Sequence, residues 1–322
     1  MKKDKVYFSR EKADFVLFLL QKQENFKKQI AFVRTMEYTI HIKMRSILPQ
    51  FCTKKGDNIM RYIVDHDLHI HSQLSLCSND PGQTPQAILD YGVQNGLKTL
   101  CLTDHMWDAA VPGCTFDFYV KQPYERICKA LPLPQHDGVK FLFGCETDQD
   151  KNCTVGISPA LVEKLDFIII PTTHLHMGGF TLRGDEGVEE RAALWCSRLD
   201  SVLDMDLPFY KVGIAHLTCS LMYTGHYLEV LAAIPDSEYH RLFAKAAKVG
   251  AGIELNFPSL KLDENSRDLT LKPYRIAKEE GCKFYFGSDA HHPAELAGAM
   301  ANFQNIVDLL GLEETDKIEF LK

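Results

Sequence analysis

The chain has 322 residues, enough for one large domain or two small ones, with 45% apolar and 25% charged residues, the balance of an ordinary globular enzyme. Its net charge of −7 is unevenly spread: residues 1–59 carry 13 Lys/Arg against 6 Asp/Glu, and residues 60–322 carry 23 against 37. So acidic a body repels a phosphate backbone, which weighs against nucleic acid as the main partner, and no apolar run reaches the roughly 18–20 residues that span a bilayer.

The amino-terminal stretch has a basic beginning and the short apolar run Phe15 to Leu20, with no small-residue cleavage site after it, so we expect a cytoplasmic protein. The ten cysteines contain no CxxC pair and no dense framework, consistent with reduced, mostly buried thiols. Residues 11–46 read as helical: Phe15, Phe18 and Leu19, then Phe26, Ile30 and Val33, fall on one face. We read residues 1–59 as a basic helical extension packed on the main domain, in preference to a membrane-surface helix. "MRYIVDHDLHIHS", from Met60, would also serve as a natural beginning.

From residue 60 strand and helix signals alternate, the pattern of a parallel sheet. Strands are predicted over 62–71, 98–103, 139–146, 166–173, 211–216, 252–256 and 283–287, each short and largely apolar. One helix starts at Thr84 with Pro85 in its first turn and stops before Gly96; another covers 236–250; a third ends at Gly281. Seven strand–helix units over residues 60–322 fit a (β/α) barrel of about 250 residues. No glycine-rich phosphate loop follows the first strand to favour an open doubly wound sheet.

The polar residues recur at the carboxyl ends of these strands. They are His69 and His71 in "DLHIHS", Asp104 and His105 in "LTDH", Glu146 in "GCETD", His174 in "TTHLH", His216 in "GIAHL", and Asp289 and His291 in "GSDAHH". Along a strand side chains alternate, so His69 and His71 share a face while Leu68 and Ile70 turn to apolar packing. A lone buried histidine is usually a hydrogen-bonded core residue. Recurrence at six strand ends, which a barrel brings to one face, points instead to a metal site.

Taken together these motifs resemble the PHP family, named for polymerase and histidinol phosphatase, over about residues 62–295. The resemblance implies an α/β fold, a distorted seven-stranded TIM-like barrel, with two or three divalent ions (zinc, manganese or iron) and hydrolysis of phosphate esters. It places one ion on His69, His71, Glu146 and Asp289. Glu146 bridges to a second, held by His174 and His216, and a third takes His105 and His291. Cys77, in "SLCSND", stands where many members place Asp or His. A thiolate there favours zinc over manganese; the alternatives are that a loop shift brings Asp80 in its place, or that Cys77 is a spectator beside a weak or empty third site.

Asp104 is expected to orient a ligand from behind. His176 and His292, beside ligands, read as pocket-lining, acid/base or solvent-facing groups; His291, His176 or a water on a cation would protonate the leaving oxygen. Arg183, in "GGFTLRGDEG", is the first candidate for a phosphate clamp, because a guanidinium matches phosphate oxygens in pairs. Lys261 and Arg267 are weaker candidates, and Asn256 ends a strand facing the same side. The expected activity is hydrolysis of a small phosphate monoester resembling histidinol phosphate. The alternatives are a phosphodiesterase or exonuclease acting on nucleotides or short oligonucleotides, an amidohydrolase-type deaminase, which would want eight strands, and a metal-stabilised module without activity.

Overall fold

The computed structural model describes residues 60–256, 263 and 266–321. The helix expected over 11–46, and Lys261, lie outside these residues. The strands are β1 (His66–Ile70), β2 (Thr99–Leu102), β3 (Lys140–Phe143), β4 (Cys145–Glu146), β5 (Ile168–Pro171), β6 (Val212–Ala215), β7 (Gly252–Asn256) and β8 (Lys283–Gly287). All pair in parallel, in the orders β1-β2-β3 and β4-β5-β6-β7-β8.

The two sheets meet at both edges. β3 and β4 are one strand kinked at Gly144, whose N–H still donates to Leu102 O at 2.8 Å, while Met106 N donates to Glu146 O at 2.9 Å. A Cβ at Gly144 would run into the Phe167 carbonyl oxygen and lie 2.8 Å from Cys101 Sγ, so only glycine allows the neighbouring strands to close up here. At the other edge β1 and β8 meet through the parallel bridge Ile70–Ala290, with Asp289 N donating to His69 O at 2.7 Å. Joined at both edges, the two parallel sheets fit the expected distorted seven-stranded barrel, β3 and β4 counting as one strand.

Two elements differ from expectation. Residues 62–64 lie outside the sheet, although Asp65 O still accepts from Lys98 N at 2.7 Å: Tyr62 N donates to Leu312 O at 3.2 Å and Arg61 bridges Glu313, so this stretch is tied to the carboxyl-terminal segment. A register irregularity between Asp67 and Ile70 also breaks the strict alternation of β1. Ile70 packs in the strand–helix layer, whereas Leu68 joins a separate cluster with Cys101, Leu142, Phe167, Ile169, Ala215 and Tyr285. Residues from so many strands can touch only across the barrel interior. Ile318 and Phe320 pack against that plug from the carboxyl-terminal segment.

The longer helices are α1 (Pro85–Gln94), α2 (Val188–Leu203), α3 (Tyr227–Ala233), α4 (Asp236–Val249), α5 (Arg267–Glu279) and α6 (Ala299–Leu310). Thr84 caps α1, its hydroxyl accepting from Ala87 N at 3.1 Å, as the Thr84–Pro85 pair predicts. Their apolar faces, among them Ile88, Trp195, Leu199 and Phe243, pack with Leu100, Leu102, Ile168 and Ile170 of the strands. Among the described residues no helix is long and apolar enough to cross a membrane. Past this plug, the strands' carboxyl ends carry the polar side chains His69, Glu146 and His216.

Candidate metal centre

Three groups of donor atoms converge at those ends, the atoms within each group lying within 4.8 Å of one another. The first is His69, His71, Glu146 and Asp289; the second is Glu146, His174 and His216; the third is His71, Cys77, His105 and His291. Glu146 belongs to the first two and His71 to the first and third, so the groups form one continuous cluster. His69 Nε2 and His71 Nε2 are 3.1 Å apart, and Glu146 Oε2 is 3.3 Å from each. His71 Nε2 lies 3.0 Å from Asp289 Oδ1, and His216 Nε2 lies 3.1 Å from Glu146 Oε1.

Hydrogen bonds behind the cluster fix how the rings face it. His69 Nδ1 donates to Glu254 Oε1 at 2.7 Å, His174 Nδ1 to Asp148 Oδ2 at 2.8 Å, and His291 Nδ1 to the Asp289 carbonyl at 2.8 Å. The Ser75 hydroxyl donates to Asp104 Oδ1 at 2.8 Å, which leaves it to accept from His71 Nδ1 at 3.1 Å. Thr173 Oγ1 likewise donates to the His216 carbonyl and accepts from His216 Nδ1, both at 3.1 Å. With Nδ1 engaged in this way, each of these rings turns the lone pair of Nε2 towards the cluster. Asp104 acts at one remove, through Ser75, and also accepts from Ser72 N and Oγ at 2.7 Å.

The backbone is bent to deliver two of the groups. His216 and Asp289, just past β6 and β8, have φ of 30° and 54°, a region that side chains with a Cβ seldom occupy and that clusters at functional sites. Gly287, ending β8, sits where a Cβ would collide with Glu254 Oε1 and His69 Cβ. Only a bare backbone lets β8 approach the Glu254–His69 pair this closely.

Would cations fit here? Glu146 Oε2 and His105 Nδ1 are buried and, although 3.0 Å apart, neither has a hydrogen-bond partner among the described residues. Buried polar atoms rarely stay unpaired, and a cation satisfies both. Without one, protons take its place. Burial opposes protonation of His69 and His71, but the facing carboxylates outweigh it: Glu254, Asp289 and Glu146 hold His69 well above its ordinary range, and Asp289 and Glu146 raise His71 to about 9. Burial likewise opposes ionisation of Glu146 and Asp289, yet His105 and His69 hold the first low, as His69 and His71 do the second. The mixed imidazole–carboxylate donors suit zinc, iron or manganese, and a sulfur donor at Cys77 tilts the third group towards zinc. The residues therefore fit divalent cations.

The cluster forms one side of a cavity of about 430 Å³ whose lining also includes Phe116, Phe118, Tyr119, His176, Met177 and Leu221. His176 belongs to none of the three donor groups. His292 is half-buried and faces Asp80 at 3.8 Å, and neither belongs to a donor group.

The clamp expected of Arg183 is not seen. Its guanidinium is exposed and bonded to Lys151 O and Asn152 Oδ1, both at 3.2 Å, and Glu186 Oε1 accepts from Arg183 N at 2.8 Å. The local turn thus holds the side chain away from the cavity, and it is not part of the lining. Asn256, buried at the end of β7, and Arg267, opening α5, do not line it either. Sequence reasoning missed Glu254, Asp148, Thr173, Ser75 and the buried Arg198. The available signals were a carboxylate inside the apolar strand "GIELN" and a second acid two residues after Glu146.

The profile of the PHP domain family matches residues 67–320. Among solved structures, the histidinol phosphate phosphatase of Lactococcus lactis subsp. lactis Il1403, complexed with zinc, L-histidinol and phosphate, is 16% identical with a TM-score of 0.51, covering 79% of this chain and 98% of that one. A putative histidinol phosphatase from Listeria monocytogenes is 12% identical with a TM-score of 0.55, covering 74% and 99%. No curated protein sequence matches the chain. At such identities the two structures speak for the fold alone. With the match running from the first histidine motif to the carboxyl-terminal segment, the chain belongs to the PHP domain family.

Proposed function

We propose that the chain is a metal-dependent phosphoesterase that hydrolyses a small phosphate monoester. One observation carries this reading: three donor groups, linked by Glu146 and His71, open on a single small cavity. His69, His71, Glu146 and Asp289 would hold one cation, Glu146, His174 and His216 a second, and His71, Cys77, His105 and His291 a third. When bound, such cations neutralise phosphate oxygens and make a water nucleophilic near neutral pH.

The chain's own residues do the rest. Glu254, Asp148, Thr173 and Ser75 hold the ligating rings in one tautomer and orientation, so no reorganisation is needed as charge develops. His176 reaches the cavity without belonging to a donor group; burial and the neighbouring His174 lower its pKa to about 4, so near neutral pH it would hydrogen-bond the leaving oxygen as a neutral imidazole, with the proton delivered through water. The aromatic side of the cavity excludes bulk water. Among the described lining residues there is no lysine or arginine to follow a nucleic-acid backbone, which favours a small ester over an oligonucleotide.

The test is an activity screen of protein stripped by chelator and reloaded with zinc, manganese or iron. Phosphomonoesters, among them histidinol phosphate, are compared with phosphodiesters. Monoester turnover that disappears in Glu146→Gln, together with loss of bound metal, supports the reading. No turnover of either class with any metal would leave a metal-stabilised module without activity.

A further inference from the structure

The lining of the cavity is of two kinds. Beside the donor groups stand the apolar side chains Phe116, Phe118, Met177 and Leu221 and the ring of Tyr119. This wall is held from behind: Phe116 stacks on Phe180 with centroids 5.2 Å apart, and Trp107 packs edge-on to Phe180 at 5.4 Å. Phe118 meets Tyr119 edge-on at 5.1 Å. The Tyr119 hydroxyl is engaged, donating to buried Asp148 Oδ2 at 2.9 Å, so Tyr119 offers its ring to the cavity. Phe118 also lies 5.2 Å, edge-on, from the His105 ring, so the apolar wall begins where the donor cluster ends. Outside the donor groups, no Asp, Glu, Lys or Arg occurs among the described lining residues.

An ester whose phosphoryl group sits on the donor cluster must lay its alcohol portion against this wall. A charged or many-hydroxyl alcohol would surrender water there without finding partners, whereas a flat apolar one exchanges water for ring contacts. An ammonium could use the ring faces, but it would do so beside the divalent cations of the cluster.

Resting on the phosphomonoesterase reading, we propose that the substrate's leaving group is an uncharged, apolar, ring-bearing alcohol. Water adds across the phosphorus–oxygen ester bond, releasing phosphate and that alcohol, and the wall sets the specificity.

The experiment compares kcat/KM of the metal-loaded enzyme for benzyl phosphate, glycerol 3-phosphate, phosphocholine and histidinol phosphate. All four have alkyl leaving groups, so the wall rather than the departing oxygen dominates the comparison. Benzyl phosphate is expected to exceed each of the others by about tenfold or more. Phe118→Leu and Met177→Ala should each lower the benzyl-to-glycerol ratio by about tenfold while leaving the bound-metal content in place. The wild-type series decides the matter even where a variant fails to fold. A ratio near unity, or a preference for phosphocholine or histidinol phosphate, overturns the inference and leaves the phosphomonoesterase reading standing; no turnover of any ester overturns both.

Discussion

Glu254 ties together two histidines from different donor groups: Oε1 accepts from His69 Nδ1 at 2.7 Å and Oε2 accepts from His216 N at 2.8 Å. All three residues are buried, so the carboxylate aligns one ring and anchors the bent backbone of the other. Glu254→Leu is expected to weaken metal binding by about 10–100-fold, measured by competition with a chromophoric chelator. Glu254→Gln, which can still accept from His69, should lose less. Equal affinities in wild type and Glu254→Leu would refute the tie.

Cys77 groups with three imidazoles, and in the metal-free protein burial, reinforced by the Glu146 and Asp289 charges, pushes its thiol well above the ordinary range. A cation in that group would have to displace the thiol proton. Cobalt-loaded wild-type protein should therefore show a near-ultraviolet thiolate-to-cobalt absorption that Cys77→Ser lacks, and Cys77→Asp should shift this group's preference from zinc towards manganese. The same spectrum in wild type and Cys77→Ser would remove Cys77 from the ligand set.

Arg198 is only 1% exposed, and its guanidinium donates to Thr172 O at 2.9 Å, Asp150 O at 3.1 Å, Gln149 O at 2.7 Å and Asp148 Oδ1 at 3.4 Å. Through Asp148 it reaches His174 and Tyr119. Arg198→Leu strands those acceptors and should destabilise the protein by about 3–5 kcal/mol in urea unfolding. Arg198→Lys should recover only part, because one ammonium cannot match the planar fork. A loss below about 1 kcal/mol in Arg198→Leu would show that water replaces the guanidinium.

Asp65 gives the fold an acid-sensitive point away from the donor cluster. Burial pushes its pKa up, but the hydrogen bonds with His66 and Lys317, at 3.2 and 3.1 Å, outweigh that and hold the carboxyl below its usual range. A depressed folded pKa contributes stability above the unfolded value of about 4, and that contribution is lost as pH falls below it. In metal-free protein the urea midpoint should fall between about pH 5 and pH 3, and more gently in Asp65→Asn. Parallel profiles for the two proteins would exclude Asp65 as a source of the acid sensitivity.

The barrel could be read from the chain because each strand is a short apolar run ending in polar residues, a pattern that survives without knowing what pairs with what. His69, His71, Glu146, His174, His216 and Asp289 announced themselves by lying at those ends. The kink at Gly144 did not, since it answers to the Phe167 carbonyl, a neighbour distant in sequence. Residues 62–65 carry strand-like residues, but Tyr62 N donates to Leu312 O and Ile63 N to the Glu314 carboxylate. Glu254 was hidden because one carboxylate in an apolar strand sets up no local period. The wall of Phe116, Phe118 and Tyr119 has neither helical nor strand spacing, and Arg183 looked available because its tie to Lys151 and Asn152 forms only when the chain folds.

The left-handed backbone at His216 and Asp289 bears on any attempt to transplant this chemistry. A designer who copied the donor residues onto regular strand ends would preserve every side chain and still mis-aim two of them. The portable unit is the pair of hooked turns, together with the Gly287 gap that lets β8 come close, and the list of ligands is secondary to it.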